Sequence, residues 1–139
     1  MTVGGDRTTE ELVAAGGYGY AQAAITSENF PADRAAPARS RAIVLLDFDR
    51  TVTVEDAVAA AARLGLQPPT YEDALAFGIA HPEAQAEAPI VFLHDPWVGA
   101  FGRRDVLCLW YNAGRRELGL EGFDDAWAPP YRFAFVLPG

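Results

Sequence analysis

Hydrophobic positions recur along this chain with two periods, and the switch between them marks its elements. Thr8 and Glu11 have capping-box spacing, Leu12 and Val13 follow as apolar contacts, and Gly16-Gly17 stop the pattern, which predicts a short helix. Tyr18, Tyr20, Ile25 and Phe30 come next in a Gly-punctuated stretch expected to wrap onto the core. Residues 31–40 are rich in Ala, Pro and Arg and read as an exposed loop. Residues 43–48 form an apolar run with a β-branched start, which predicts a central strand.

Two helices are expected next. Thr53 caps the first, with Asp56 three residues on, and Val54, Ala57, Val58, Ala61 and Leu64 form its apolar stripe. Gly65 is its stop, and Pro68-Pro69 prevents continuation. Thr70 caps the second, with Asp73 three residues later. Its stripe is Tyr71, Ala74, Leu75 and Ile79, and it ends before Pro82, with His81 near its C-cap.

The remainder is β-rich. Strands are expected at 90–93, 106–110 and 118–120, with turns at Asp95-Pro96, at 99–102 and at Asn112-Ala113-Gly114. Residues 121–130 read as a loop. In 131–137, Tyr131, Phe133, Phe135 and Leu137 share one face, and Arg132, Ala134 and Val136 take the other. The pattern predicts one α+β domain over residues 1–139, with an N-terminal helix and loop at 1–40 and a core at 41–139. Val54, Ala57, Val58, Ala61, Leu64, Leu75, Val106, Leu109, Phe133 and Phe135 are expected to form one core.

Composition narrows the function. The chain has 139 residues, 50% hydrophobic and 22% charged, with a net charge of −8, so it is globular and repels phosphate backbones. Nucleic acid is therefore not the expected partner. Its eleven basic residues are all Arg, which excludes a Schiff-base or P-loop lysine. Cys108 is the one cysteine, so no intrachain disulfide forms, and its apolar strand marks it as a core residue. No apolar run is long enough to span a membrane, and the N-terminus lacks a basic region followed by an apolar stretch. The expectation is a cytoplasmic protein with no membrane partner.

Asp47-Phe48-Asp49-Arg50-Thr51 resembles the first motif of haloacid dehalogenase-type phosphatases, Asp-x-Asp-x-Thr after an apolar strand. The resemblance implies a nucleophile at Asp47, a general acid at Asp49 and magnesium beside phosphate. That family also needs parallel βαβ units, which two adjacent helices followed by β-rich sequence do not supply. Glu121, Asp124 and Asp125 offer hard oxygen ligands, but without the alternation of a calcium loop they read as a solvated acidic loop. His81 and His94 lack a zinc-ligand pattern. No catalytic residue, metal site or cofactor is expected.

One strand, two consecutive helices, several short strands and a closing strand is the element order of the C-type lectin-like fold. Val54-Glu55-Asp56-Ala57, Leu64-Gly65 and Pro69-Thr70 with Asp73 resemble its two-helix segment. They are most similar to the branch of formylglycine-generating enzymes and diversity-generating-retroelement variable proteins. Tyr131-Arg132-Phe133 resembles that branch's last strand. Phe48-Asp49-Arg50, Ala76-Phe77-Gly78, Pro89-Ile90-Val91 and Phe123-Asp124 also resemble a group of small uncharacterised bacterial proteins. The resemblance implies two consecutive helices packed on a small, mainly antiparallel sheet, and a C-terminal loop surface for binding. Glu-Pro-Asn and Trp-Asn-Asp sugar triplets are absent, and one cysteine supplies neither the lectin disulfides nor the oxidase pair.

The expected function is non-catalytic binding of a small ligand or protein. The expected surface comprises Trp97, Tyr111, Asn112, Arg115, Arg116, Asp124, Asp125, Trp127 and Tyr131, which combine aromatic, amide, guanidinium and carboxylate groups beside turns. Core packing is the competing role for Trp110 and Trp127. Two other functions fit parts of the sequence: a small magnesium-dependent phosphatase using Asp47 and Asp49, and an acidic phage-type inhibitor of a basic partner.

Overall fold

A computed structural model describes the whole chain, residues 1–139. Its elements are β1 (Thr2–Val3), α1 (Thr9–Ala15), β2 (Tyr20–Ala21), β3 (Arg39–Ser40), β4 (Ala42–Asp47), α2 (Val54–Arg63), α3 (Tyr71–Ala80), β5 (Ile90–Val91), β6 (Trp97–Val98), β7 (Arg104–Asn112), β8 (Arg115–Gly122) and β9 (Arg132–Leu137). A 3-10 turn, Ala84–Ala86, follows α3. All three helices begin with complete capping boxes, Thr8/Glu11, Thr53/Asp56 and Thr70/Asp73. These side chains satisfy backbone donors that no helical carbonyl reaches.

The fold is α+β, with a seven-stranded mixed sheet in the order β2-β8-β7-β5-β9-β4 and β6 paired to β7. A separate ribbon joins β1 to β3. Only β2–β8 and β5–β9 are parallel; the other pairs are antiparallel. Ala113 at φ 52° and Gly114 at φ 80° make the two-residue turn between β7 and β8, as the Asn-Ala-Gly signal predicts.

The expected single core is two cores, one on each face of the sheet. Val91, Val106, Cys108, Phe133 and Phe135 meet Val54, Ala57 and Ala61 of α2. Ile90, Leu107, Leu109 and Ala134 meet Ala74, Leu75 and Phe77 of α3. Leu75 and Leu109 thus belong to a different core from the rest of the predicted set. Helical periodicity says which side of a helix is apolar, not which face of a sheet it covers.

Leu64 is a second correction: it is 63% exposed, while Leu66 is 8% exposed. Gly65, at φ +75°, turns the chain back, with Gly65 N–H bonded to Ala62 O at 3.0 Å and Leu66 N–H to Ala61 O at 2.9 Å. This is a Schellman motif, whose apolar contact is made by the residue after the glycine. Val58 is only half-buried.

The strand expected to be central is β4, and it lies at the edge of the sheet. Its apolar run arises because both faces are covered, Val44 and Leu46 packing on the α2 side and Ile43 and Leu45 on the α3 side. Coverage of two faces does not require a neighbour on two edges. The N-terminal segment is also more integrated than a helix and loop. Val3, Ile25 and Phe30 are buried, and β2 extends the sheet.

Arg41 ties these parts together between β3 and β4. Its guanidinium donates to both carboxylate oxygens of Asp73, at 3.0 and 2.8 Å, while its backbone pairs with Met1. Asp73 is fully buried and also accepts the Thr70 N–H at 2.8 Å. The helix cap is therefore also the acceptor that locks α3 to the sheet.

Two substitutions measure these contacts. Arg41→Ala leaves the Asp73 carboxylate buried without its cation and should cost about 3 kcal/mol in denaturant unfolding. Phe133→Ala opens a cavity against Phe48 and Trp127 and should cost about 3–5 kcal/mol. A loss below about 1 kcal/mol in either would show that the contact is peripheral.

Candidate binding surface

The predicted surface is divided between the two ends of the β7–β8 hairpin. Asp105 pairs with Gly122 at its base and Asn112 with Arg115 at its tip. Seven residues of strand separate these ends by about 23 Å. Trp97, Asp124 and Asp125 belong to the base, and Tyr111, Asn112, Arg115 and Arg116 to the tip. The nine predicted residues therefore do not gather into one compact pocket. Turn signals in a sequence do not record at which end of a sheet each turn falls.

Three of the nine residues are structural. Trp127 is buried in the α2-side core, edge-on to Tyr131 at 5.1 Å, and pairs by backbone with Val52. Trp97 is half-buried with its ring 5.6 Å from Phe30. Arg116 turns inward, donating to Gly16 O, to Gly78 O at 2.8 Å and to Gln85 Oε1 at 3.2 Å, with its guanidinium 4.7 Å from the Tyr18 ring. Burial pushes the Tyr18 hydroxyl up to about 12, partly offset by Arg116. Arg116 thus joins α1, α3 and β8.

At the base, Arg104 pairs with Asp124 at 3.1 Å and covers the Phe123 ring at 4.8 Å. Tyr131 is pushed up to about 12 by burial and by the acids Glu121 and Asp125. Glu121 is raised from the ordinary carboxylate range by burial and by Asp125. Phe101, at the apex of the β6–β7 turn, is fully exposed.

At the tip, Tyr111 and Arg115 are both exposed, but strand alternation sends them to opposite faces. Tyr111 shares the α3 side with Leu109, and its hydroxyl donates to Gly114 O at 3.0 Å. Arg115 leaves on the α2 side with Glu117 and Trp110. There its Nε donates to Glu117 Oε2 at 3.1 Å, and its guanidinium lies 5.9 Å from the Tyr20 ring. Trp110 is half-buried, with Nε1 beside Gly119, and its N–H has no protein acceptor. No residue of β8 or β2 belongs to the α2-side core; at this open corner Tyr20, Asn112 and Arg115 are exposed and Trp110 is half-buried, while the Glu117 side chain is buried.

The open corner holds two residues from outside the predicted set, Tyr20 and Trp110. Trp110 looked like core because it ends an apolar strand. Tyr20 carried no strand signal, since β2 is two residues long and pairs with a partner almost a hundred positions away in the chain.

Asp47 and Asp49 are exposed at the end of β4, which pairs antiparallel with β9. No three His, Cys, Asp or Glu side chains converge on a metal-sized point. Arg50 is directed to Asp56 at 3.7 Å. No helix is long and apolar enough to cross a membrane.

A cavity of about 420 Å³ lies between the N-terminal loop and α3, floored by Leu12, Ala76 and Ile79 and rimmed by Asp6, Arg7, Asp33 and Glu72. A second, of about 360 Å³, is lined by Pro68, Pro69, Tyr71, His94 and Asp95. His94 is occupied on both nitrogens. Leu107 N–H donates to Nε2 at 3.0 Å, so Nδ1 carries the proton and donates to Asp95 O at 2.6 Å. Burial lowers its pKa, opposed by that carbonyl and the Asp95 carboxylate.

A testable pH dependence follows from His94. The unfolded chain takes up a proton below about pH 6.5, and the folded chain does so only at lower pH. The stabilisation is complete above the unfolded value and is lost as pH falls through the window down to the depressed native pKa. The slope should reach at most about 1.4 kcal/mol per pH unit. Unfolding midpoints between pH 7.5 and 5.5 should fall more steeply for the wild type than for His94→Gln. Parallel profiles would show that His94 is not held neutral. Glu121, with its raised pKa, acts in the opposite sense at lower pH.

Comparison with protein-family models, with curated proteins and with solved structures finds no match to this chain.

Proposed function

We propose that this chain is a non-catalytic binding module built on a lectin-like scaffold, and that its site is the open corner formed by β7, β8 and β2. The antiparallel pairing of β4 with the closing strand β9, with two consecutive helices between them in the chain, supports the scaffold. One observation carries the site: Tyr20, Trp110, Asn112 and Arg115 gather, exposed or half-exposed, on one face of the sheet beside the buried Glu117. An indole with a free N–H, a half-exposed phenol and a guanidinium supply stacking area and directional donors. Glu117 holds Arg115 from one side, which reduces the freedom lost when a ligand binds. A small ligand with a planar or sugar-like apolar face and acceptor edges fits this chemistry, as does the flat side of a peptide.

The phosphatase alternative has little support in the geometry around Asp47 and Asp49. The acidic-inhibitor alternative rests on the net charge of −8 alone.

The test is a screen of saccharide and short-peptide fragments by protein-observed NMR. The expected result is a shift of the Trp110 indole N–H, with Trp97 and Trp127 unmoved. Trp110→Ala or Arg115→Ala should then weaken a hit by about 2 kcal/mol. Hits that gather in the cavity beside α3 and leave Trp110 untouched would overturn this site. Magnesium-dependent hydrolysis of an aryl phosphate, lost in Asp47→Asn, would overturn the non-catalytic reading.

A further inference from the structure

The outer edge of β4 is a complete, unused set of strand-pairing groups. Its direction is fixed by β9. Val136 N–H and C=O both bond to Gln67, at 2.8 and 2.9 Å, so they face away from β4. Ile43 stands opposite Val136 and so points its own N–H and C=O away from β9. The same holds two residues on. Leu45 and Asp47 also face outward, consistent with Arg132, opposite Asp47, donating its N–H to Pro89 O on the far side. No backbone or side-chain hydrogen bond reaches the outward groups of Ile43, Leu45 or Asp47. The neighbouring position Arg41 is already paired with Met1, so the free edge begins at Ile43.

The side chains tell the same story. Ile43, Val44, Leu45 and Leu46 are all only part-buried, whereas the residues of β5 and the middle of β7 are fully buried. Over residues 43–46 both faces of β4 are apolar, so the strand that completes it is apolar on both faces over that stretch too. The 42–47 segment contains no Pro and no bulge, two of the devices that blunt an edge, and its one charged residue, Asp47, stands at the end of the strand.

We infer that β4 pairs with β4 of a second copy, antiparallel about a two-fold axis through Leu45, to make one continuous sheet. Ile43 then faces Asp47 of the other copy and Leu45 faces Leu45, so every outward group finds a partner. On the opposite face Val44 meets Leu46, beside the half-buried Phe48 and Val58 that flank them. The contact closes on itself, so assembly stops at two. The other edge of the sheet, β2, has only two residues and offers no comparable array.

The test combines sedimentation equilibrium with residue-resolved amide exchange on the full chain. In dilute solution Ile43, Leu45 and Asp47 should exchange rapidly, while Val44 and Leu46, bonded to β9, stay protected. Raising the concentration to several hundred micromolar should double the mass and slow exchange at Ile43, Leu45 and Asp47 at least tenfold. Leu45→Lys should remain at monomer mass, and the wild-type exchange pattern decides the matter if that variant fails to fold. A wild-type chain that stays monomeric overturns the inference. So does a dimer without added protection at these three amides, which places the contact elsewhere. Growth beyond two copies, or pairing of this edge only with an extended segment of another protein, overturns it equally.

Discussion

Two backbone hydrogen bonds between Gln67 and Val136 hold the point where the chain passes from one face of the sheet to the other. Leu66 belongs to the core on the α2 side, while Tyr71 and Ala74 belong to the α3 side. Gln67 lies between them as a one-residue strand beside the end of β9, where the short β5 no longer reaches. Because of this crossing, two consecutive helices cover opposite faces. Strands with a helix on each face must be apolar on both sides, which explains the near-continuous hydrophobic runs of β4, β5 and β7.

The polar anchors follow from that geometry. Once the chain has crossed, α3 must be fixed to the sheet, and Arg41 does so through the buried Asp73 at the helix cap. Arg116 plays a comparable part near the other end of α3, accepted by Gly78 O, Gly16 O and Gln85. Gln85 Nε2 in turn donates to the carbonyls of Trp110 and Glu117. These groups lie where an apolar side chain would leave backbone carbonyls unpaired, and such vacancies are costly in a low-dielectric interior. Chemistry that looked like a binding surface in the sequence is therefore partly internal scaffolding.

What stays outside is modest but coherent. The corner near the hairpin tip combines Tyr20, Trp110 and Arg115, and the opposite edge of the sheet presents the unpaired groups of β4. The proposed corner and the β4 edge lie at opposite ends of the strand order, so pairing through β4 would keep both corners accessible. A two-copy assembly would present two such corners, and a multivalent ligand would gain by mass action without any new contact.

The sequence by itself determined the local structure. Three Thr-x-x-acid caps, the Gly65 stop, the Ala113-Gly114 turn and the alternation of 131–137 all rest on contacts within a few residues, where side-chain chemistry acts directly on neighbouring backbone groups. Tertiary structure alone decided which face each helix covers, that β4 is an edge, that Leu66 replaces Leu64 in the core, and that Trp97 and Tyr111 lie at opposite ends of a hairpin. It also brought Tyr20 beside Arg115 across the parallel β2–β8 pair. The physical reason is that strand order and sheet direction are set by pairings between residues far apart in the chain. A side-chain period of two records that a strand has two faces, but carries nothing about which neighbours it has.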